Sequence, residues 1–93
     1  VDVPPIVDGS IGQPIPNPAV DQARFALRLD RSTHIRIELV NALGHVVRVV
    51  TDDVMNEGEH VIPCDVRDLP SGLYLLKASD GVRIDARRLV VAR

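Results

Sequence analysis

Tryptophan is absent from this sequence, and Phe25 and Tyr74 are its only aromatic residues. Base-stacking platforms, and the exposed aromatic faces on which sugar rings settle, are therefore scarce. Cys64 is the one cysteine, so no internal disulfide can form. Lys77 is the one lysine, and the arginines are interspersed with acids to a net charge of −2. That balance leaves no basic stripe to draw the chain to nucleic acid or to an anionic membrane. No apolar run approaches the roughly 20 residues that span a bilayer as a helix. A secretory signal pattern is also missing, and the chain opens on Val1 rather than Met. This leads to the expectation of a fragment whose targeting sequence lies far upstream.

What is present is aliphatic. The chain has 93 residues, 45% of them hydrophobic, and Val, Ile, Leu and Ala dominate. That length allows one domain with one core, burying somewhat more than about 60% of the unfolded surface. Residues 1–18 carry Pro4, Pro5, Gly9, Gly12, Pro14, Pro16 and Pro18, which forbid helix and interrupt a sheet ladder. Residues 1–12 read as a linker from an upstream domain, and residues 13–93 as the folded body.

Within the body, strict alternation marks strands. Phe25, Leu27 and Leu29 share a face, with Arg24 and Arg28 on the other. Ile35, Ile37 and Leu39 alternate with Arg36 and Glu38. Asn41-Ala42-Leu43-Gly44 has hairpin-turn chemistry: Asn caps its own backbone, and Gly accepts positive φ. The return run Val46–Val50 is too continuously apolar for its facing to be assigned. Thr51 to Gly58 reads as a polar loop, after which His60, Ile62 and Cys64 share a face. Leu69-Pro70-Ser71-Gly72 is a turn into Leu73–Ala78. Asp80-Gly81 signals a two-residue hairpin into a last strand running from Val82 toward Arg93. The apolar parity of that strand slips, which predicts a bulge at Arg87-Arg88. No segment predicts a helix. The pattern predicts an all-β, immunoglobulin-like antiparallel sandwich of about seven strands.

Reactive constellations fail on spacing. His60 and Cys64 lie four positions apart on one strand, roughly 13 Å, too far for a hydrogen-bonded dyad. Asp52, Asp53, Asn56, Glu57 and Glu59 form an acidic cluster of the kind calcium takes. An EF-hand loop placed on Gly58, however, needs a glutamate where Cys64 stands. The three histidines and single cysteine lack zinc spacing. Ser71 has no nucleophile elbow, and no glycine-rich phosphate cradle occurs. No catalytic, metal or cofactor site is expected. Carbohydrate binding would fall on Tyr74, which alternates with core residues and reads as buried.

The punctuation, taken in order, carries a resemblance. Pro16-Asn17-Pro18-Ala19 precedes a strand, and the Asn41–Gly44 turn follows. Then come Gly58-Glu59-His60, Leu69-Pro70-Ser71-Gly72-Leu73-Tyr74 and the closing Arg87-Arg88-Leu89-Val90-Val91. The ordered set, over about residues 13 to 93, resembles the C-terminal sorting domains of the type IX (Por) secretion system of Bacteroidetes-type bacteria. The immunoglobulin-like domain of the flagellar hook-capping protein shares the pattern. Two positions depart from it: Ile15 stands where an aromatic is usual, and Cys64 where Trp is usual. The sorting resemblance implies a non-catalytic secretion and cell-surface signal at the end of a larger cargo protein. It implies a route through periplasm and outer membrane, with an outer-membrane translocon and a sortase as partners, the sortase cutting near the linker and joining cargo to surface lipopolysaccharide. It assigns recognition to Pro16, Asn17, Pro18, Gly44, Gly58, His60, Leu69, Ser71, Gly72 and Tyr74, and to Leu89, Val90, Val91 and Arg93 of the last strand. A hook-capping-type structural module, or a carbohydrate-binding module of a secreted glycosidase, is the alternative.

Overall fold

The computed structural model describes residues 11–93; the expected linker at 1–12 lies, up to residue 10, outside the described residues. Six strands follow in order: β1 Gln22–Leu29, β2 Thr33–Asn41, β3 Val46–Met55, β4 Gly58–Asp65, β5 Gly72–Ser79 and β6 Ile84–Val91. β1 pairs with β4 in one sheet, and the other sheet runs β3-β2-β5-β6, every pair antiparallel. No helix occurs among the described residues. The all-β, two-sheet expectation holds.

Alternation explains why these segments pair as they do. Ala23, Phe25, Leu27 and Leu29 of β1 are buried, as are Ile35, Ile37 and Leu39 of β2 and Tyr74, Leu76 and Ala78 of β5. With Ile62 and Cys64 from β4 and Leu89 and Val91 from β6, they form one cluster between the sheets. Each fully buried Leu or Ile contributes about 1.5–3 kcal/mol, so this cluster is the main stabilising element. Cys64 is a buried free thiol within it, and burial pushes its pKa up.

Three local expectations are corrected. β3 runs on to Met55, so Thr51–Gly58 is mostly strand rather than loop. Asp52 is satisfied across the ladder, meeting His34 at 2.6 Å and Arg36 at 2.7 Å, while Asp53 accepts the Val54 N–H on its own strand. Met55 and Val50 pack on the core. The expected bulge at Arg87-Arg88 is absent, because β6 pairs with β5 in unbroken register from Ile84 to Val91. Instead Asp85 faces inward, 8% exposed, and pairs with Arg87 at 2.7 Å, while Ile84 faces out. The bulges lie in β3, whose register on β2 shifts between Ile37 and Glu38 and again between Leu39 and Val40. Those shifts are why the Val46–Val50 run obeys no single parity. Finally, the β5–β6 connection is the four-residue loop Asp80–Arg83 rather than a two-residue turn. Asp80 Oδ1 accepts the N–H groups of Val82 and Arg83, closing it from within.

The entry segment is part of the body. Ile11 is 2% exposed and bridges to Leu27, and the Gly12 N–H donates to Ala26 O at 2.8 Å. Ile11 and Gly12 are therefore both tied to β1. Ile15 exchanges backbone bonds with Arg24, and Ala19 then bridges in parallel to Val91. The segment thus leaves the β1 edge and crosses to the β6 edge, tying the two sheets together. Prolines 14, 16 and 18 lack N–H donors, which leaves isolated bridges where a full strand would otherwise form.

Candidate functional site

Most of the residues singled out by the resemblance converge at one end of the molecule. Gly72 opposes Val91 across the β5–β6 ladder, and Asn41 opposes Tyr74 across β2–β5. The entry segment, the Asn41–Gly44 turn, the Leu69–Gly72 turn and the chain's last residues consequently share that end.

Asn17 is the least expected member. Its Nδ2 donates to Arg88 O at 3.1 Å, and its Oδ1 accepts the Val90 N–H at 2.9 Å. Gln13 Nε2 also donates to Arg88 O, at 3.0 Å. Ala19 N donates to Val90 O at 2.7 Å, and Ala92 N donates to Ala19 O at 2.9 Å. The carboxamide of Asn17 thus behaves as a surrogate peptide group, extending the sheet beyond β6. Pro16 and Pro18 hold it between two cis peptide bonds, Ile15–Pro16 and Asn17–Pro18. Further along, Ala86 N donates to Asp85 Oδ1, and Arg87 Nη1 donates to Ala86 O. An incoming strand cannot pair with Arg88–Ala92 while Asn17 and Ala19 occupy that edge.

Arg93 forms a second knot. Its Nε donates to Leu69 O at 3.0 Å, its Nη2 donates to Val66 O, and its backbone N donates to Ser71 Oγ at 3.1 Å. Leu69, 8% exposed, sits above the core edge. Tyr74 is 5% exposed, and its hydroxyl donates to Pro70 O at 2.7 Å. This corner fixes the turn before β5 and withholds the ring from any sugar face. Arg48 braces the neighbouring connection, gripping the Asp68 carboxylate with Nη2 at 2.7 and 2.8 Å and Asp65 O with Nη1 at 2.8 Å.

Gly44 has φ 89° in the turn where Asn41 O accepts its N–H at 2.9 Å, a conformation that favours glycine. Gly58 and His60 are not brought to this end. Gly58 pairs with Leu29 at the far end of β1, and His60 Nε2 donates to Asn56 O at 2.7 Å across its own turn. On β6, Leu89 and Val91 point into the core at 0% and 1% exposure, whereas Val90 faces out at 37%. Gln13 and Ile11 were missed by sequence reasoning, and Ala19 was read only as the end of the Pro16-Asn17-Pro18-Ala19 motif.

The electrostatics are those of a wet surface. A side-chain hydrogen bond from Arg67, joined by its backbone N–H, holds the Asp65 carboxyl down at about 2. A hydrogen bond from His34 holds Asp52 below the usual carboxylate range. No group of three or more His, Cys, Asp or Glu side chains placed to hold a metal ion occurs among the described residues. Every buried side-chain polar atom among them has a partner. The geometry offers scaffolding contacts and a shaped surface.

No curated protein and no solved structure matches this chain. The family model for the secretion system C-terminal sorting domain matches residues 15–92, which run from the Ile15 bridge on β1 to the residue beyond β6. That span takes in every position assigned to recognition except Arg93, and it favours the sorting reading over a hook-capping or carbohydrate-binding module. The chain therefore belongs to the family of secretion system C-terminal sorting domains and is a type IX sorting signal.

Proposed function

We propose that the folded body is itself the export signal, read as a surface by an outer-membrane translocon and a sortase, and that the chain performs no catalysis. The observation that carries this reading is the use made of the family positions. Asn17, Ser71, Tyr74 and Arg93 each bond another residue's backbone through a side chain, and Leu69 O receives one of those bonds. Leu89 and Val91 fill the core. Residues so engaged specify a shape, and a shape is what a translocon can recognise without chemistry.

In this reading the cargo lies upstream in the same polypeptide, passes through the periplasm and is released at the outer membrane. The sortase cuts ahead of Ile11, because Ile11, Gly12 and Ile15 are tied to β1 and Ala19 to β6, which withholds this backbone from a protease. Cargo so released joins the cell surface or the medium.

The test separates a folded signal from a linear tail peptide. The 93-residue chain is fused behind a periplasmic reporter in a type IX-competent host, and reporter in medium and on the surface is measured. Export is expected for the intact chain. Leu27→Asp breaks the core while leaving residues 89–93 untouched, and it is expected to abolish export. Export of Leu27→Asp at the level of the intact chain would show that the tail, and not the fold, is read. Deleting residues 89–93 cannot make this distinction, since it removes two core side chains.

A further inference from the structure

The outer face of the four-stranded sheet is divided. Toward the Thr33 end it carries a charged lattice of His34, Arg36, Glu38 and Asp52, with Val54 and Ile84 exposed singly at its two margins. Toward the Asn41 turn it is aliphatic. Val46, Leu73, Leu75 and Val90 stand 48%, 45%, 41% and 37% exposed there, and Leu43 projects from the turn at 80%. The register places Val40 beside Val46 and Leu75, and Leu73 beside Val90, so these side chains form one continuous patch. Isolated exposed aliphatics are ordinary, but a contiguous patch on a small domain marks a contact surface.

Two hollows meet on this patch. One, of about 270 Å³, lies between the Asn41–Gly44 turn and Leu73–Leu75, over the buried ring of Tyr74. The other, of about 500 Å³, lies between the entry segment and β6, lined by Gln13, Asn17, Leu73, Arg88 and Val90. Leu73 is common to both. Arg88 is exposed beside Leu75, and its guanidinium makes no hydrogen bond or ion pair among the described residues. The outward face of β5 and β6 carries Lys77 and Arg88 but no carboxylate. The nearest acid on the adjoining strand, Glu38, is held by Arg36 at 2.6 Å and lies 3.9 Å from Lys77.

We propose that this face is a protein-docking surface. Its occupant is a partner of the export route that presents an aliphatic side chain to the hollow beside Leu73 and a carboxylate to Arg88. The inference rests on the sorting reading and adds to it the face that is read. Charge complementarity selects the occupant. A second copy would bring Arg88 and Lys77 against their own like. Anionic lipid attraction relies on clusters of about four to eight basic residues, where this face has two. The paired hollows suit protruding side chains, and the β6 edge beside them is already filled by Asn17 and Ala19, so docking uses side chains and not strand addition.

The test uses the reporter fusion with the intact chain, Leu73→Ser, Arg88→Glu and, as a control on the other sheet, Val61→Ser, which is 68% exposed. Arg88→Glu leaves every backbone bond of β6 in place, so it reports on docking even where Leu73→Ser disturbs folding. Thermal melting of each purified chain verifies the fold. Losing an interface anchor corresponds to about a tenfold or greater drop in exported reporter, expected for Leu73→Ser and Arg88→Glu with melting unchanged and Val61→Ser exported normally. Normal export of both patch variants beside an exported intact chain would overturn the docking face while leaving the sorting reading in place. A drop in Val61→Ser equal to theirs would overturn it as well. So would a sedimenting dimer that Leu73→Ser abolishes, or binding to phosphatidylglycerol vesicles that Arg88→Glu abolishes. An intact chain that is not exported removes the sorting reading and this inference together.

Discussion

Asn17 grips the backbone on both sides of Leu89, accepting the Val90 N–H at 2.9 Å and donating to Arg88 O at 3.1 Å, across more than 70 residues of sequence. One side chain thereby joins the first described segment to the last strand. It also closes an edge that would otherwise offer unpaired backbone groups to another chain.

Asn17→Ala is accordingly expected to lower unfolding stability by about 1–2 kcal/mol, the sum of two modest hydrogen bonds partly replaced by water. Asn17→Asp keeps the acceptor for Val90 but sets an oxygen against Arg88 O, and should fall at least as far. Urea unfolding of the three chains measures this. A variant as stable as the parent would mean that the edge bonds contribute nothing.

Ile11 belongs to the core at 2% exposure, so its truncation creates a cavity. Ile11→Ala should cost about 2–5 kcal/mol, the range for removing a buried aliphatic side chain. Equilibrium unfolding with the denaturant slope unchanged would attribute the loss to the native state. A loss under about 0.5 kcal/mol, as at a surface position, would place Ile11 outside the body.

How much of this was legible in the sequence depended on whether partner and pattern lay in the same stretch. β1, β2 and β5 were readable because one face is wet and charged, so alternation survives. The facing of β3 was not, because its two bulges are set by the register of β2. β6 misled for a chemical reason. Asp85 and Arg87 read as surface, yet they face inward as a pair, while Ile84 reads as core and faces water. Residues 1–12, Ile11 among them, read as linker because their prolines and glycines forbid helix and interrupt a ladder. Nothing local reveals that Ile11 and Ile15 each make a single bridge to β1, or that Ala19 makes one to Val91 at the far end of the chain. The same holds for the candidate site. Its members could be listed in order from the sequence, but Asn17 and Arg93 act on backbone at long range, which no spacing rule encodes.

Acid should weaken the fold through Asp65. Its carboxyl titrates at about 2 when folded, against 3.8 ordinarily, because Arg67 donates to it from side chain and backbone. A depressed carboxylate pKa contributes stability that is present above the unfolded value and lost as pH falls through the folded one. The contribution is therefore full above roughly pH 5 and fades between about pH 4 and 2. Melting temperature followed over that window should drop more steeply for the parent than for Asp65→Asn. Added salt should shrink the difference, since the pair is exposed. Parallel curves for the two chains would remove Asp65 from the acid response.

Tyr74 separates a corner residue from a ligand platform. Its ring is buried and its hydroxyl bonds Pro70 O, so the two halves of the side chain can be removed in turn. Tyr74→Phe keeps the ring and loses one hydrogen bond, for which about 1 kcal/mol is expected. Tyr74→Ala also empties the core beside Gly72 and should cost about 3–5 kcal/mol, as for other buried aromatics. Export should follow stability: near normal for Tyr74→Phe, and lost for Tyr74→Ala at the temperature where that chain melts. Lowering the growth temperature below that melting point should restore it. A Tyr74→Phe chain that folds as firmly as the parent yet fails to leave the cell would instead make the hydroxyl part of the recognised surface.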